Sequence, residues 1–368
     1  MRVLGLATYP VEAAATRFRM IQFIEPLAGQ GIELSVYPFI DSSLYGSLYN
    51  RSQWPRTALG LSLAAVRRVR ELVRARKADV VFVQREAMMF GPPLVEWLTV
   101  NLHGCPMVLD LDDATYVSYK SPTYGRIGSM LKWFSKTNDL ISWSRLVTCG
   151  NREIAAYVTS KGRQAVVIPT VVDTTCFRPL AERQGSDVPV IGWIGTHSTF
   201  PYVKTIFPVL ERLARDYRFR LRLVGTGADN VVIPGVEIEN LAWKLEREIA
   251  DFQSLDIGIY PIVEDNWSVG KSCFKAVQYM AVGVSFVVSP VGACHDIAEA
   301  DRTHFVARTE EEWYEHLSQL LSDADLRRRM GEAGRSYAVQ HYSIEAHVQK
   351  LADALRSAKK HKKAHKPH

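Results

Sequence analysis

Short runs of β-branched and aliphatic residues recur along this chain, each followed by a longer stretch with apolar residues at every third or fourth position. A strand buried on both faces reads as a continuous apolar run, so this alternation points to parallel sheets covered by helices. In the first half it predicts strands over Arg2–Ala7, Ile32–Pro38, Asp79–Gln84, Met107–Leu111, Leu146–Cys149 and Ala165–Pro169. In the second half it predicts them over Pro189–Ile194, Arg220–Val224, Val236–Glu239, Asp256–Tyr260, Ser285–Ser289 and His304–Ala307. Helices are expected over Arg17–Ala28, Leu61–Arg76, Glu310–Leu321, Leu326–Tyr342 and Ile344–Ser357. The expected organisation is two doubly wound, Rossmann-like α/β domains, 1–172 and 173–343. They divide near Pro169–Pro179, where Asp173 and two prolines interrupt regular structure. A closing helix over 344–358 and a disordered basic tail over 359–368 complete the expectation.

Charge decides against one class of partner. Of the net +6, five charges are lysines of the last ten residues, so the rest of the chain is nearly neutral and no nucleic acid is expected. No run of eighteen apolar residues occurs, and the apolar start is too short for a signal peptide. The five cysteines form no CxxC pair. Reduced thiols in a cytoplasmic protein are therefore expected.

In open α/β sheets, ligands bind beyond the carboxyl ends of the strands. The residues to weigh are therefore those that follow each strand. Ile191–Thr199 ends in Gly195, Thr196, Ser198 and Thr199, small and hydroxyl residues that could meet phosphate oxygens, although such a turn also simply ends a strand. Gly225, in the turn Leu223–Gly227, is of the same kind. Neither half has GxGxxG after its first strand, which counts against a dehydrogenase. The segment Asp256–Gly292 is the most informative. A loop carries Glu264, Asp265 and Trp267, and Gly270 then precedes a helical pattern. Lys271, Lys275 and Gln278 follow at spacings of four and three, which predicts one face at a helix start, where a diphosphate is the natural guest.

In the first half, the strand Met107–Leu111 runs into Asp110, Asp112 and Asp113. These acids could bind an acceptor hydroxyl, cap a helix, or hold a divalent ion against a diphosphate. Arg17 and Arg85 follow other strands of the same half and could meet phosphate or an acidic acceptor. Arg67, Arg68, Arg70, Arg74, Arg76 and Lys77 make one basic helix. With Met130, Trp133 and Phe134 it could touch anionic lipid as a peripheral membrane contact at the inner face of a membrane, or form a solvated face.

Several blocks resemble, in order, the retaining nucleotide-sugar glycosyltransferases of family 4. They are Thr16-Arg-Phe-Arg, Val167–Pro179, Ile191-Gly-Trp-Ile-Gly195, Leu241-Ala-Trp243, Asp256–Pro261, Gly270–Lys275, Gln278–Gly283 and Met330–Arg335. The resemblance implies the GT-B fold: two Rossmann-like domains facing a cleft, with the C-terminal helix crossing back to the first. It also implies transfer from a nucleotide-diphosphate sugar to a glycan, lipid-linked or small-molecule acceptor, with no metal and no further cofactor. In that reading Gly195, Thr196, Ser198, Thr199, Gly225, Trp243, Glu264, Asp265, Trp267, Gly270 and Gln278 bind the donor. Lys271, Lys275 and Asp112 serve catalysis, and Arg17, Arg85, Asp110 and Asp113 bind the acceptor. The family usually carries two glutamates seven residues apart across this helix. Here the earlier position is Gly270 and the later is Gln278, so Glu264 or Asp265 would stand in for the first. The family's usual arginine after the first strand of the second domain is Thr196, and its histidine near the 107–111 strand is absent. Lys271 and Lys275 would supply the positive charge. Three alternatives stay open: a non-catalytic nucleotide- or glycan-binding relative, a metal-dependent GT-A enzyme using Asp110 and Asp112, and a nucleotide-sugar epimerase.

Overall fold

The computed structural model describes residues 1–48, 51–118, 125–181 and 188–360. Those residues form twelve strands, all parallel to their neighbours, in two sheets of six. The first holds β1 (Arg2–Ala7), β2 (Glu33–Pro38), β3 (Val80–Gln84), β4 (Met107–Leu111), β5 (Leu146–Cys149) and β6 (Ala165–Val167), in the order β2-β1-β3-β4-β5-β6. The second holds β7 (Val190–Ile194), β8 (Arg220–Val224), β9 (Glu237–Leu241), β10 (Ile257–Tyr260), β11 (Ser285–Val288) and β12 (Phe305–Val306), in the order β12-β11-β10-β7-β8-β9. The order reverses between β1 and β3 in one sheet and between β7 and β10 in the other. In doubly wound sheets those are the places where ligands bind.

The chain divides into two compact units. The first comprises Met1–Thr170, Gly270–Ser272 and the chain from Ile344 onward, and the second comprises Val171–Val269 and Cys273–Ser343. Every expected strand forms. The central ones, β3, β4, β7, β10 and β11, are buried along their whole length, as continuous apolar runs require. The expected helix Arg17–Ala28 breaks into Ala14–Arg19, a 3-10 turn and Ile24–Gly29. Met20 leaves helical geometry, and Pro26 sits in the first turn of the last piece, where its missing N–H costs nothing. The basic helix is longer than expected, Trp54–Ala75. Arg68 docks it: its guanidinium donates to the carbonyls of Ala7 (2.7 Å) and Tyr37 (2.9 Å) and pairs with Glu71 at 2.5 Å. Arg68 is thus a buried anchor, not part of a solvated face.

In the second unit, the helix Ala324–His341 approaches the helix Phe274–Ala281 closely because both contacts are glycines. A Cβ on Gly331 would collide with the carbonyl oxygen of Gly283, and Gly334 faces Met280. Arg335 then donates to the carbonyls of Phe177 (2.6 Å), Ala281 (2.8 Å) and Thr174 (2.8 Å), pinning the start of this unit. The helix Glu310–Ser322 opens with a capping box, Thr309 with Glu312.

The closing helix, Ile344–Lys360, packs on the first unit, against helix Ile24–Gly29 and strands β3–β5. Leu351 and Leu355 are buried, Arg356 donates to the Gln30 carbonyl (2.7 Å), and Lys359 pairs with Asp79 at 3.1 Å. The helix therefore continues past Ser357, and Lys359 belongs to it rather than to a loose tail. Residues 361–368 of that expected tail lie outside the described residues. Among the described residues, no helix is long and apolar enough to cross a membrane.

Candidate functional site

In the second unit, the ends of β7, β8 and β9 come together through missing side chains. Gly225 adopts φ +81°, and a Cβ there would strike the Gly195 carbonyl, with Trp243 in contact beside it. Gly227, at φ +67°, leaves room for His197 in the same way. The expected turn residues Gly195, Thr196, Ser198, Thr199, Gly225 and Trp243 are thus one cluster. Thr196 and Ser198 share a hydrogen bond between their hydroxyls (2.9 Å) and are exposed at its tip.

Helix Phe274–Ala281 lies across the β7–β10 reversal. The Tyr279 hydroxyl engages the carbonyls of Gly192 (3.2 Å) and Ile259 (3.1 Å), and its ring occupies the space a side chain on Gly258 would need. This seats Lys275 directly at the reversal. Its ammonium lies 5.0 Å from the Tyr260 ring centroid and 6.0 Å from that of Trp193. Gln278 follows on the same helical face and is buried. Lys271 does not share that face. The helix starts only at Phe274, because Cys273 before it takes φ +52°. Cys273 is bonded to Cys294, which corrects the expectation of five reduced thiols. Cys105, Cys149 and Cys176 take no part in that disulfide.

The loop after β10 separates its two acids. Asp265 Oδ1 accepts the N–H groups of Trp267 (2.8 Å) and Ser268 (2.6 Å), and Oδ2 accepts the Tyr202 hydroxyl (3.2 Å). Burial works against its charge, but those donors outweigh it and hold the carboxyl below the usual range. Asp265 therefore builds the loop, whereas Glu264 is exposed beside it and Trp267 is half-buried.

In the first unit, the three acids after β4 have three different fates. Asp110 is turned inward. Arg19 grips it through Nε (2.9 Å) and Nη2 (2.5 Å), and Thr148 donates to it at 2.6 Å, so it holds the sheet together rather than an acceptor. Asp112 is held by both arms of Arg85 (2.6 and 2.7 Å) and by Gln84 (3.2 Å). Its burial opposes ionisation, but Arg85 and Arg19 prevail and keep it a carboxylate. Asp113 is different. Burial raises its carboxyl above the usual range, with Arg85 at 3.6 Å and Lys271 only partly offsetting that. Arg85 itself stands at the β1–β3 reversal in a left-handed conformation, φ +62°. Such strain persists only where its surroundings over-determine it, here two aspartates.

Gly270–Ser272 packs in this unit too. Asn151 caps helix Arg152–Ser160 through its oxygen (2.8 Å to the Ile154 N–H), while its amide donates to the carbonyls of Gly270 (2.9 Å) and Lys271 (3.3 Å). A Cβ on Gly270 would collide with Ala114, next to Asp113. That explains why no glutamate stands there: the position has no room for a side chain. Arg17 braces the loop after β1 through the carbonyls of Val11 (2.7 Å) and Glu12 (3.2 Å). Arg17 and Arg85 both bear electrostatically on Tyr45, whose hydroxyl is raised chiefly by burial.

No protein-family model matches the chain, and no curated protein does. Solved structures do. The sucrose-phosphate synthase of Thermosynechococcus elongatus aligns over 97% of this chain and 98% of its own, at 13% identity and a TM-score of 0.69. HepE of Anabaena, solved in complex with UDP-glucose, aligns over 97% and 100%, at 15% identity and 0.68. The catalytic domain of starch synthase IV from Arabidopsis thaliana, bound to ADP and acarbose, aligns over 98% and 99%, at 10% identity and 0.68. The fold is GT-B.

The GT-B architecture corrects the metal-dependent GT-A alternative, which needs one main sheet and carboxylates open to an ion. Asp110 and Asp112 are instead each closed by a guanidinium. Sequence reasoning did not single out Tyr260, Tyr202, His197 or Asn151, although Tyr260 is the last residue of a strand and the strand-end rule alone would have found it. At the carboxyl edge of each sheet, Lys275 stands at one order reversal and Arg85 at the other.

Proposed function

We propose that this chain is a glycosyltransferase that takes a sugar from a nucleoside-diphosphate sugar, in the manner of family 4 and with retention. The observation that carries the proposal is Lys275. It is a cation on the first turns of a helix, seated at the order reversal of the second sheet, where a phosphate group would meet both the ammonium and the Thr196–Thr199 turn. Lys275 neutralises the diphosphate as the glycosidic bond breaks, and the hydroxyls of Thr196, Ser198 and Thr199 hold its oxygens. Gln278 takes a ribose hydroxyl, Trp243 borders the nucleotide, and Glu264 binds the donor sugar in place of the absent glutamate. In the first unit Asp113, with Lys271 and the Arg85–Asp112 pair around it, receives the acceptor hydroxyl. No covalent nucleophile is invoked, so catalysis rests on leaving-group stabilisation and positioning. The acceptor is a glycan, a lipid-linked group or a small molecule.

The reaction is proposed to need no divalent ion and no cofactor, because the lysine supplies the charge. The experiment is release of nucleoside diphosphate from a panel of nucleotide sugars in excess chelator. Turnover of one donor under chelation supports the proposal. Loss of turnover that magnesium or manganese restores contradicts the metal-free mechanism. Tight nucleotide binding with no turnover of any donor favours a non-catalytic relative.

A further inference from the structure

The exposed apolar side chains of this protein are not spread evenly. Of seventeen large ones among the described residues, twelve fall between Trp54 and Trp133, in the first unit. Scattered singly such residues mean little, but a contiguous patch marks a surface that is covered in use.

Helix Trp54–Ala75 carries the core of the patch. Its inner face, with Ala64, Arg68 and Leu72, is buried on the sheet. Its outer face continues past the helix end as Leu59, Leu63, Val66, Arg70, Val73 and Lys77, at spacings of four, three, four, three and four. All six are exposed, the leucines at 63% each. A solvated helix face would carry mixed charges there. This one carries four aliphatic residues and two cations, and the single acid of the helix, Glu71, is buried against Arg68. The helix also touches the segment Leu94–Leu102, where Leu94 and Trp97 are exposed. Gly91, in the loop that leads into that segment, donates its N–H to the Leu131 carbonyl of helix Gly125–Lys132 (2.8 Å). Met130 lies in the last turn of that helix and Trp133 just after it, 72% and 49% exposed.

We propose that this face of the first unit docks on an anionic lipid bilayer, with the helix lying in the interface plane. The charge pattern selects the occupant. An interfacial helix needs aliphatic residues to enter the acyl boundary, cations to meet anionic headgroups, and indole rings at headgroup level. A second copy of the chain would instead oppose Arg70 and Lys77 to their own equivalents with no acid on the stripe to meet them. The patch also reaches the functional edge of the sheet. Lys132 of helix Gly125–Lys132 pairs with Glu86 at 3.3 Å, and Glu86 is the residue after Arg85. A chain seated this way presents the Arg85–Asp113 cluster near the bilayer surface, where a lipid-linked acceptor would lie.

The test is flotation of the full chain with vesicles of phosphatidylcholine alone and with phosphatidylglycerol added. The expected result is binding to the mixed vesicles at least about tenfold tighter than to neutral ones, weakened by salt. Arg70→Glu with Lys77→Glu should abolish the preference for anionic vesicles, and Leu63→Asp with Val66→Asp should weaken binding to them about tenfold or more. Circular dichroism and unchanged nucleotide affinity establish that these variants remain folded. Two results would overturn the proposal. One is equal failure to bind either vesicle. The other is a lipid-free dimer that Leu63→Asp converts to monomer.

Discussion

Asp113 and Asp112 are adjacent in the chain, yet their environments push their carboxyls in opposite directions. Because the folded value of Asp113 lies above the unfolded one, the native state holds its proton longer, and stability falls as pH rises through that window. Asp113→Asn removes this cost. We expect a melting temperature at neutral pH equal to or above that of the parent, together with transfer lowered about tenfold or more, the scale of one charged hydrogen bond. A merely structural aspartate would lower both. His304 gives the clearest acid signature. Burial against Phe286 depresses its imidazole to about 4. An unfolded histidine titrates near 6.5, so its contribution is complete above about pH 6.5 and is lost as pH falls towards 4. Denaturant titrations across that range should lose about 3 kcal/mol through this group, and His304→Gln should flatten that part of the profile. What divides the three acids was not legible in the sequence. The run of acids is visible, but the arginines that divide it lie elsewhere in the chain, with Arg19 91 residues from Asp110. No local spacing carries such a pairing.

At the scale of elements, strands were read well because burial on both faces writes itself into composition. Helix boundaries were read less well where a single backbone conformation decided them. Lys271, Lys275 and Gln278 fit helical spacing, but the left-handed Cys273 starts the helix three residues after Lys271 and leaves that lysine with Asp113. The bond from Cys273 to Cys294 spans 21 residues, and its two ends become neighbours only because the intervening helix and β11 fold back. Replacing both cysteines by serine should cost about 3 kcal/mol, the chain-entropy scale for a loop of this length, and peptide mapping without reductant should recover the linked pair. Gly270→Glu introduces the residue that the resemblance to family 4 leads one to expect there, yet the structure predicts harm. The Cβ would collide with Ala114, so a loss of about 1–3 kcal/mol in stability is expected, with no gain in transfer.

At the scale of the whole molecule, the chain order of the two sheets singles out two short segments. Each sheet reverses its strand order once, and those two places hold Arg85 and Lys275. The closing helix belongs to the first unit, although the second unit precedes it in sequence. Truncation before Ile344 should therefore destabilise the first unit. Loss of buried Leu351 and Leu355 alone is worth about 2–5 kcal/mol each. The central claim, that the second unit binds a nucleoside diphosphate at Lys275, is tested most directly by calorimetric titration of nucleoside diphosphates into the parent chain and Lys275→Ala. One nucleoside diphosphate should bind the parent, and the substitution should weaken it by about 1–3 kcal/mol without lowering the melting temperature of the free protein. Equal affinity in the two proteins, or no binding to the parent by any nucleoside diphosphate, would contradict it.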